Sequence, residues 1–114
     1  MTQHAELTAK RWSEFDRGQQ LLQIAAEMHR ATRWVRLGDA DRARAGYERV
    51  LRLVDLTVEV QHSASLRREL LRWRDLAAEL YVAESPSADA HRSALRVLLQ
   101  LHPATAAQID ALGA

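Results

Sequence analysis

The sequence predicts an all-α fold, an up-down bundle of four main helices with short extra helical segments at the termini. Apolar residues recur at steps of three and four along most of the chain, which is the period of an amphipathic helix. Only 4 of the 114 residues are glycine and 2 are proline, a composition typical of a compact helical domain. The connecting segments are short, so consecutive helices are expected to be antiparallel neighbours.

One domain is predicted to span residues 1–114, with residues 1–12 as a mobile or peripheral N-terminal segment. Helical spacing in and just after that segment predicts a short helix that packs on the bundle. The residues at this spacing are Ala5, Thr8, Trp12 and Phe15.

The first long helix is predicted from about residue 14 to residue 37, with Ser13 and Asp16 forming a capping box at its start. Its polar side, which includes Gln20 and Glu27, is predicted to face solvent. The stripe predicted to face the core consists of Leu21, Ala25, Met28, Thr32 and Val35.

The second long helix is the centre of the predicted bundle. Gly38 is expected to end the preceding helix in the left-handed conformation, and Asp39 or Asp41 to cap the new one. Its apolar residues lie on two faces, so it should have neighbours on two sides. The first face comprises Ala43, Tyr47, Val50, Val54 and either Val58 or Thr57, and the second comprises Leu53, Leu56 and Val60. A strand over residues 55–60 is the alternative, but no second strand candidate exists to pair with it.

Two further long helices follow. Ser63 or Ser65 is predicted to cap the third and Ser87 the fourth, after the break at residues 85–87. The inward stripes are Leu66, Leu70, Trp73, Ala77 and Leu80, then His91, Ala94, Leu95, Leu98 and Leu101. Pro103 should end the fourth helix, and Thr105 with Gln108 predicts one last short helix.

Composition excludes several classes of function. The chain has no cysteine, so disulfides, thiolate metal sites and a cysteine nucleophile are excluded. It shows no signal peptide and no apolar run of membrane length, so a cytoplasmic protein that does not associate with membranes is expected. The formal net charge of +1 argues against strong non-specific binding of nucleic acid by the whole chain.

No motif indicates catalysis, a metal or a cofactor. Glu59 and His62 form a Glu-x-x-His, the spacing that di-iron bundles use, but those sites need two copies and two more inward carboxylates. The single copy lies at a predicted helix end. The serines are better explained as caps or exposed residues, and no glycine-rich phosphate loop exists. The sequence therefore predicts a protein that is not an enzyme.

A cluster of arginines suggests an alternative function, a regulator that binds nucleic acid. The candidate phosphate contacts are Arg67, Arg68, Arg72 and Arg74. Guanidinium groups suit phosphate, and an interleaved aromatic residue such as Trp73 suits bases. However, Trp73 lies on the predicted buried stripe and acids interrupt the basic runs, so solvated helix faces are the favoured interpretation.

The leading prediction is a protein–protein interaction module of the chaperone or adaptor type, binding a protein partner or a second copy of itself as a homodimer. It depends on apolar residues in excess of a single core stripe. The predicted partner surface consists of Trp12, Phe15, Trp34, Leu56 and Val60.

The helical hairpin over residues 24–55 resembles a single tetratricopeptide repeat. The similarity rests on the Gly38-Asp39 turn followed by Ala43, Tyr47, Leu51 and Leu53. It departs at Asp55, where that repeat has its closing proline, and no second copy is present. The helix order and the turn also resemble flagellar export chaperones, and the whole chain resembles the small uncharacterised helical-bundle proteins common in bacterial genomes. These resemblances imply a bacterial binding protein and supply no functional residue.

Overall fold

The computed structural model describes residues 8–102, and every regular element in that range is an α-helix. The helices are α1 (Ala9–Trp12), α2 (Arg17–Leu37), α3 (Ala40–Val60), α4 (Ala64–Val82) and α5 (Ala88–Leu99). The prediction of an all-α bundle is confirmed. The strand alternative for residues 55–60 is wrong, because these residues belong to α3. The short helix predicted from Thr105 and residues 1–7 of the N-terminal segment lie outside the described residues.

The four long helices form a closed ring in which α2 and α4 each contact both α3 and α5. Neighbours are antiparallel, as the pairing along α2 and α3 illustrates. Glu27 contacts Arg49, and Arg17 at the start of α2 contacts Gln61 at the end of α3. The short helix α1 packs on α3. The bundle therefore has the up-down topology that its short connections predicted.

The start of α2 differs from the sequence prediction. Asp16 and Gln19 form a capping box, in which the Asp16 carboxylate accepts from the Gln19 amide at 2.8 Å and the Gln19 side chain accepts from the Asp16 amide at 2.9 Å. The predicted box of Ser13 and Asp16 is wrong, because the Ser13 hydroxyl donates to the carbonyl of Lys10 at 2.6 Å. Consequently α2 begins at Arg17, after a turn that separates it from α1.

The predicted caps are present at the end of α2 and at the starts of α3, α4 and α5, whereas α5 ends at Leu99, before the predicted end at Pro103. Gly38 has a φ of 71°, the left-handed conformation that glycine adopts without a steric cost. The side chains of Asp39, Ser63 and Ser87 each accept a hydrogen bond from an amide in the first turn of α3, α4 and α5. Asp39 and Ser63 are therefore the caps among the alternatives that the sequence left open.

The core is built from the stripes that periodicity predicted for α4 and most of those predicted for α2, α3 and α5. Two polar residues of α2 were placed wrongly by the sequence, because Gln20 and Glu27 are 4% and 3% exposed. The Gln20 amide donates to the carbonyls of Trp12 and Phe15, which fixes the turn between α1 and α2. Because the buried Gln20 amide has these hydrogen-bond partners, it stabilises the connection between α1 and α2 and does not weaken the core.

Candidate functional site

A groove of about 520 Å³ lies between α4 and α5. Most of its lining is apolar, and small side chains predominate on α5. The apolar lining includes Leu76, Leu80, Ala83, Ala90, Ala94 and Val97. Glu79 is a charged residue of the lining, and Ser93 adds a hydroxyl. Concave apolar surfaces with a few polar groups are the usual form of a recognition site.

The groove adjoins a direct hydrogen bond between α4 and α5. The indole nitrogen of Trp73 donates to the carbonyl oxygen of Ala94 at 2.7 Å, which holds the two helices together there. Towards the α4–α5 connection, α5 presents Ala90 and Ser93, whose side chains are too short to fill the space beside Leu76. The result is an open channel above a packed core.

Exposed apolar side chains are concentrated on the same half of the bundle. Among residues 8–102, the large exposed apolar residues on α4 and α5 are Leu71, Leu76, Val82 and Val97. Leu76 and Val97 stand on opposite sides of the groove and are 40% and 41% exposed. Partly solvent-exposed apolar side chains on both walls of a groove are typical of a contact surface.

The predicted partner surface is only partly a surface. Trp12 is 2% exposed, and its indole nitrogen donates to the Thr57 hydroxyl at 2.8 Å, so its assignment to a partner surface is corrected. Leu56 and Val60 are half-buried and pack against the core. Phe15 is exposed, and it shares a pocket of about 230 Å³ with Val60.

Trp34 is far along α2 from the other members of that predicted surface. It is half-buried, and the guanidinium carbon of Arg42 lies 4.7 Å from its ring centroid. The Arg33 guanidinium approaches the same ring at 5.5 Å. These are cation–π distances, so two arginines of this chain already pack on the indole. The structure does not bring Trp34 together with Phe15 and Val60.

The four arginines proposed as phosphate contacts are divided between different neighbours. Arg67 donates to the Gln61 carbonyl at 2.6 Å, and Arg74 binds Asp55 through two hydrogen bonds of 2.7 and 3.2 Å. Arg68 and Arg72 are exposed on α4. Two of the four thus hold α4 against α3, and Trp73 between them is buried.

A polar network inside the bundle was missed by the sequence analysis. His91 is 2% exposed, which agrees with its place on the predicted inward stripe of the fourth helix, but its polar partners were not predicted. Its Nδ1 atom lies 2.7 Å from the Tyr47 hydroxyl, and its Nε2 atom lies 3.0 Å from the Thr32 hydroxyl. The available signal was that His91, Tyr47 and Thr32 each occupy a position on an otherwise apolar stripe. A buried polar side chain needs a partner, so three such positions could have been paired.

A second buried group is the carboxylate of Glu27. It accepts from Arg49 Nε at 2.9 Å and also binds Arg30, one turn along α2. The spacing of Glu27 and Arg30 was readable from the sequence. The contact with Arg49 was not, because it depends on the register of α2 against α3. Two cations around a buried anion satisfy its charge, so this cluster has a structural role.

Glu59 and His62 are both exposed at the end of α3. Within residues 8–102, no group of three or more histidine, aspartate or glutamate side chains is arranged to hold a metal ion. None of the helices in the described range is long and apolar enough to cross a membrane. No protein-family model matches this sequence, and no curated protein or solved structure matches it.

Proposed function

We propose that this chain is a non-enzymatic protein-interaction module whose α4/α5 groove receives an amphipathic helix of a partner protein. The observation that carries the proposal is the pair of half-exposed walls, Leu76 and Val97, above a floor of small side chains. Other large apolar residues of the ring are also exposed, namely Leu37 on α2 and Leu71 and Val82 on α4, but none of these three lines the groove.

The shape of the groove supports a helix as the occupant. The short side chains of the lining leave room for the backbone of a third helix to approach α5 closely. These small residues are Ala83, Ala90 and Ala94. The 12 residues of α5 extend about 18 Å, which corresponds to roughly three helical turns of a partner. A partner would fill this length with apolar residues at positions i, i+3 or i+4, and i+7.

The negative charge of Glu79 in the groove indicates which charge the partner helix carries beside its apolar stripe. Glu79 lines the groove beside its apolar wall. A lysine or arginine next to the apolar stripe of the partner helix would pair with it, whereas an acidic residue would be repelled. The proposed partner is therefore an amphipathic helix with a basic margin.

The nucleic-acid alternative has less support, because Arg67 and Arg74 already bind Gln61 and Asp55. It remains a prediction, and binding that falls steeply as salt increases would be its signature.

Site-specific photo-crosslinking tests the proposal. A benzophenone amino acid replaces Ser93 in the groove, and a second version carries it at Leu37, an exposed position at the end of α2. We expect the Ser93 version to crosslink, in cells, to one amphipathic segment of another protein that has a basic margin. Mass spectrometry of the crosslinked peptides identifies that segment.

Matched variants make the result decisive. Leu76→Gln should reduce the Ser93 crosslink by more than tenfold, because it places an amide where the partner needs an apolar wall. Leu37→Gln, an equal change outside the groove, should leave it unchanged. A crosslink to a second copy of this chain would show that the groove forms a homodimer interface and does not bind a partner helix. No crosslink, or one unaffected by Leu76→Gln, would refute the groove as the binding site.

A further inference from the structure

One imidazole joins three of the four long helices. His91 belongs to α5, Tyr47 to α3 and Thr32 to α2, and both ring nitrogens of His91 lie within hydrogen-bond distance of a hydroxyl. Tyr47 is fully buried and His91 is nearly so. This inference concerns the stability of α5 and does not depend on the proposed function.

The hydrogen bonds are all satisfied by one tautomer of the neutral ring. The Thr32 hydroxyl lies 3.4 Å from the Met28 carbonyl and donates to it, which leaves its oxygen to accept from His91 Nε2–H. The other nitrogen, Nδ1, then carries a lone pair and accepts from the Tyr47 hydroxyl at 2.7 Å. In this arrangement each hydroxyl proton has an acceptor.

We propose that His91 is an acid-sensitive latch, in which a proton bound at Nδ1 removes the acceptor of the Tyr47 hydroxyl and releases α5 from α2 and α3. The protonated ring has two donors and no acceptor, so the Tyr47 hydroxyl proton would lose its partner inside the core. The new positive charge would also be buried, which is costly unless an anion lies nearby.

Among residues 8–102, no anion is among the main influences on the pKa of His91, and a hydrogen bond with the Met28 carbonyl raises that pKa by less than burial lowers it. Tyr47 faces the ring from α3, and because burial raises the pKa of Tyr47, its hydroxyl stays protonated. On α2 the nearby titratable group is His29, whose charge would oppose a second one. The buried residues of α4 are apolar or the indole of Trp73.

The remaining charged groups near the site are already engaged. On α5 itself, Asp89 pairs with Arg92 at the surface. On α2, the buried carboxylate of Glu27 is bound to Arg30 and Arg49. Neither carboxylate is among the main influences on the pKa of His91.

The direction of the pH effect follows from this burial. Desolvation is the largest influence on His91 and lowers its pKa from the ordinary value, so the unfolded chain binds the proton more readily than the folded one. The stabilising contribution of neutral His91 is complete above the ordinary imidazole pKa of about 6.5 and is lost as the pH falls towards the lower, folded-state pKa.

The helix α5 is the element expected to leave first. It has 12 residues against 19 to 21 in α2, α3 and α4. Its boundary with α4 is the groove, so it buries less surface on that side. Local opening occurs where few apolar contacts hold an element.

Hydrogen exchange of the full chain, followed by mass spectrometry, tests the latch at about pH 7.5, 6.5 and 5.5, values that span the ordinary imidazole pKa. Rates are corrected for the intrinsic pH dependence of exchange. We expect the protection of α5 amides to fall by up to about tenfold per pH unit below 6.5, the limit for one bound proton. His91→Gln, which stays neutral, should remove this dependence, and His29→Gln should keep it.

A second measurement keeps the test valid if His91→Gln does not fold. The His91 ring carbon signals of the unaltered protein are followed by NMR over the same pH range. Protonation of His91 together with loss of α5 protection supports the latch. Unchanged α5 protection while His91 becomes protonated would overturn it, and so would an equal pH dependence in His91→Gln.

Discussion

The α2–α3 half of the bundle is sealed by small side chains and a buried carboxylate, whereas the α4–α5 half leaves apolar side chains open to solvent. In the first half, a Cβ atom added at Gly46 would lie 3.2 Å from the Cβ of Ala31. Glu27 then links α2 to Arg49 of α3. In the second half, the bond from Trp73 to Ala94 stands beside a groove of about 520 Å³.

Both halves use small residues, and the difference lies in what faces them. Gly46 faces Ala31, so two short side chains let the helix backbones approach and close the interface. Ala90 and Ser93 of α5 stand beside a gap instead. A small side chain therefore closes an interface only where the opposite helix can move towards it. Where it cannot, the same residue type creates a groove.

The largest effect is expected at Trp12, which joins α1 to the closed half. Trp12→Ala should lower the free energy of unfolding by about 3–5 kcal/mol, because it empties a large buried site and removes the bond to Thr57. Urea denaturation followed by circular dichroism measures the change. Phe15→Ala, three residues later and 38% exposed, is the matched control and should cost less than about 1 kcal/mol. Equal, small effects of both variants would place Trp12 on the surface after all.

Overpacking the α2/α3 interface should have the next largest effect. Gly46→Leu forces a side chain against Ala31 and should cost about 2–3 kcal/mol through displacement of α2 from α3. Ala45→Leu places the same leucine side chain at the exposed neighbouring position, outside the interface, and should change stability by less than about 0.5 kcal/mol. Thermal unfolding of the two variants distinguishes these cases. Similar melting temperatures would mean that the close approach at Gly46 does not seal this half.

The buried tyrosine connects the two halves through His91 and gives an intermediate effect. Tyr47→Phe keeps the ring but removes the donor to Nδ1 of His91, which leaves a buried acceptor unpaired. We expect a loss of about 1–2 kcal/mol in the free energy of unfolding near pH 7.5, measured by urea denaturation. Tyr81→Phe, which alters a half-buried tyrosine at the end of α4, is the control and should cost less. An unchanged free energy of unfolding in Tyr47→Phe would show that water or a rearranged side chain replaces the hydroxyl.

The sequence was sufficient for the elements of both halves, because periodicity and caps are local properties. The stripe from Leu66 to Leu80 and the caps Asp39 and Ser87 were predicted correctly on this basis. Burial of polar residues was not predictable in the same way. Glu27 was assigned to solvent because a lone carboxylate normally is exposed, and only the register of α2 against α3 brings Arg49 to it.

The candidate site was harder to predict for a related reason. Excess apolar residues were noticed at Trp12 and Trp34, but Trp12 is buried in the core and Trp34 packs against it. The groove depends on the distance between α4 and α5, and Val97 was not singled out because a lone exposed apolar residue is common. The sequence analysis therefore did not locate the groove between α4 and α5.

The smallest effect on stability is expected in the open half, and it is the most informative about function. Leu76→Gln should change the free energy of unfolding by less than about 1 kcal/mol, because this side chain is already 40% exposed. Leu80→Gln, one turn along α4 and 5% exposed, should cost more than about 2 kcal/mol, since it buries an amide without a partner. Denaturation of both variants compares the wall of the groove with its floor. If Leu76→Gln were as damaging as Leu80→Gln, Leu76 would serve the core, and the groove would lose one of the two apolar walls on which the proposed binding of a partner helix depends.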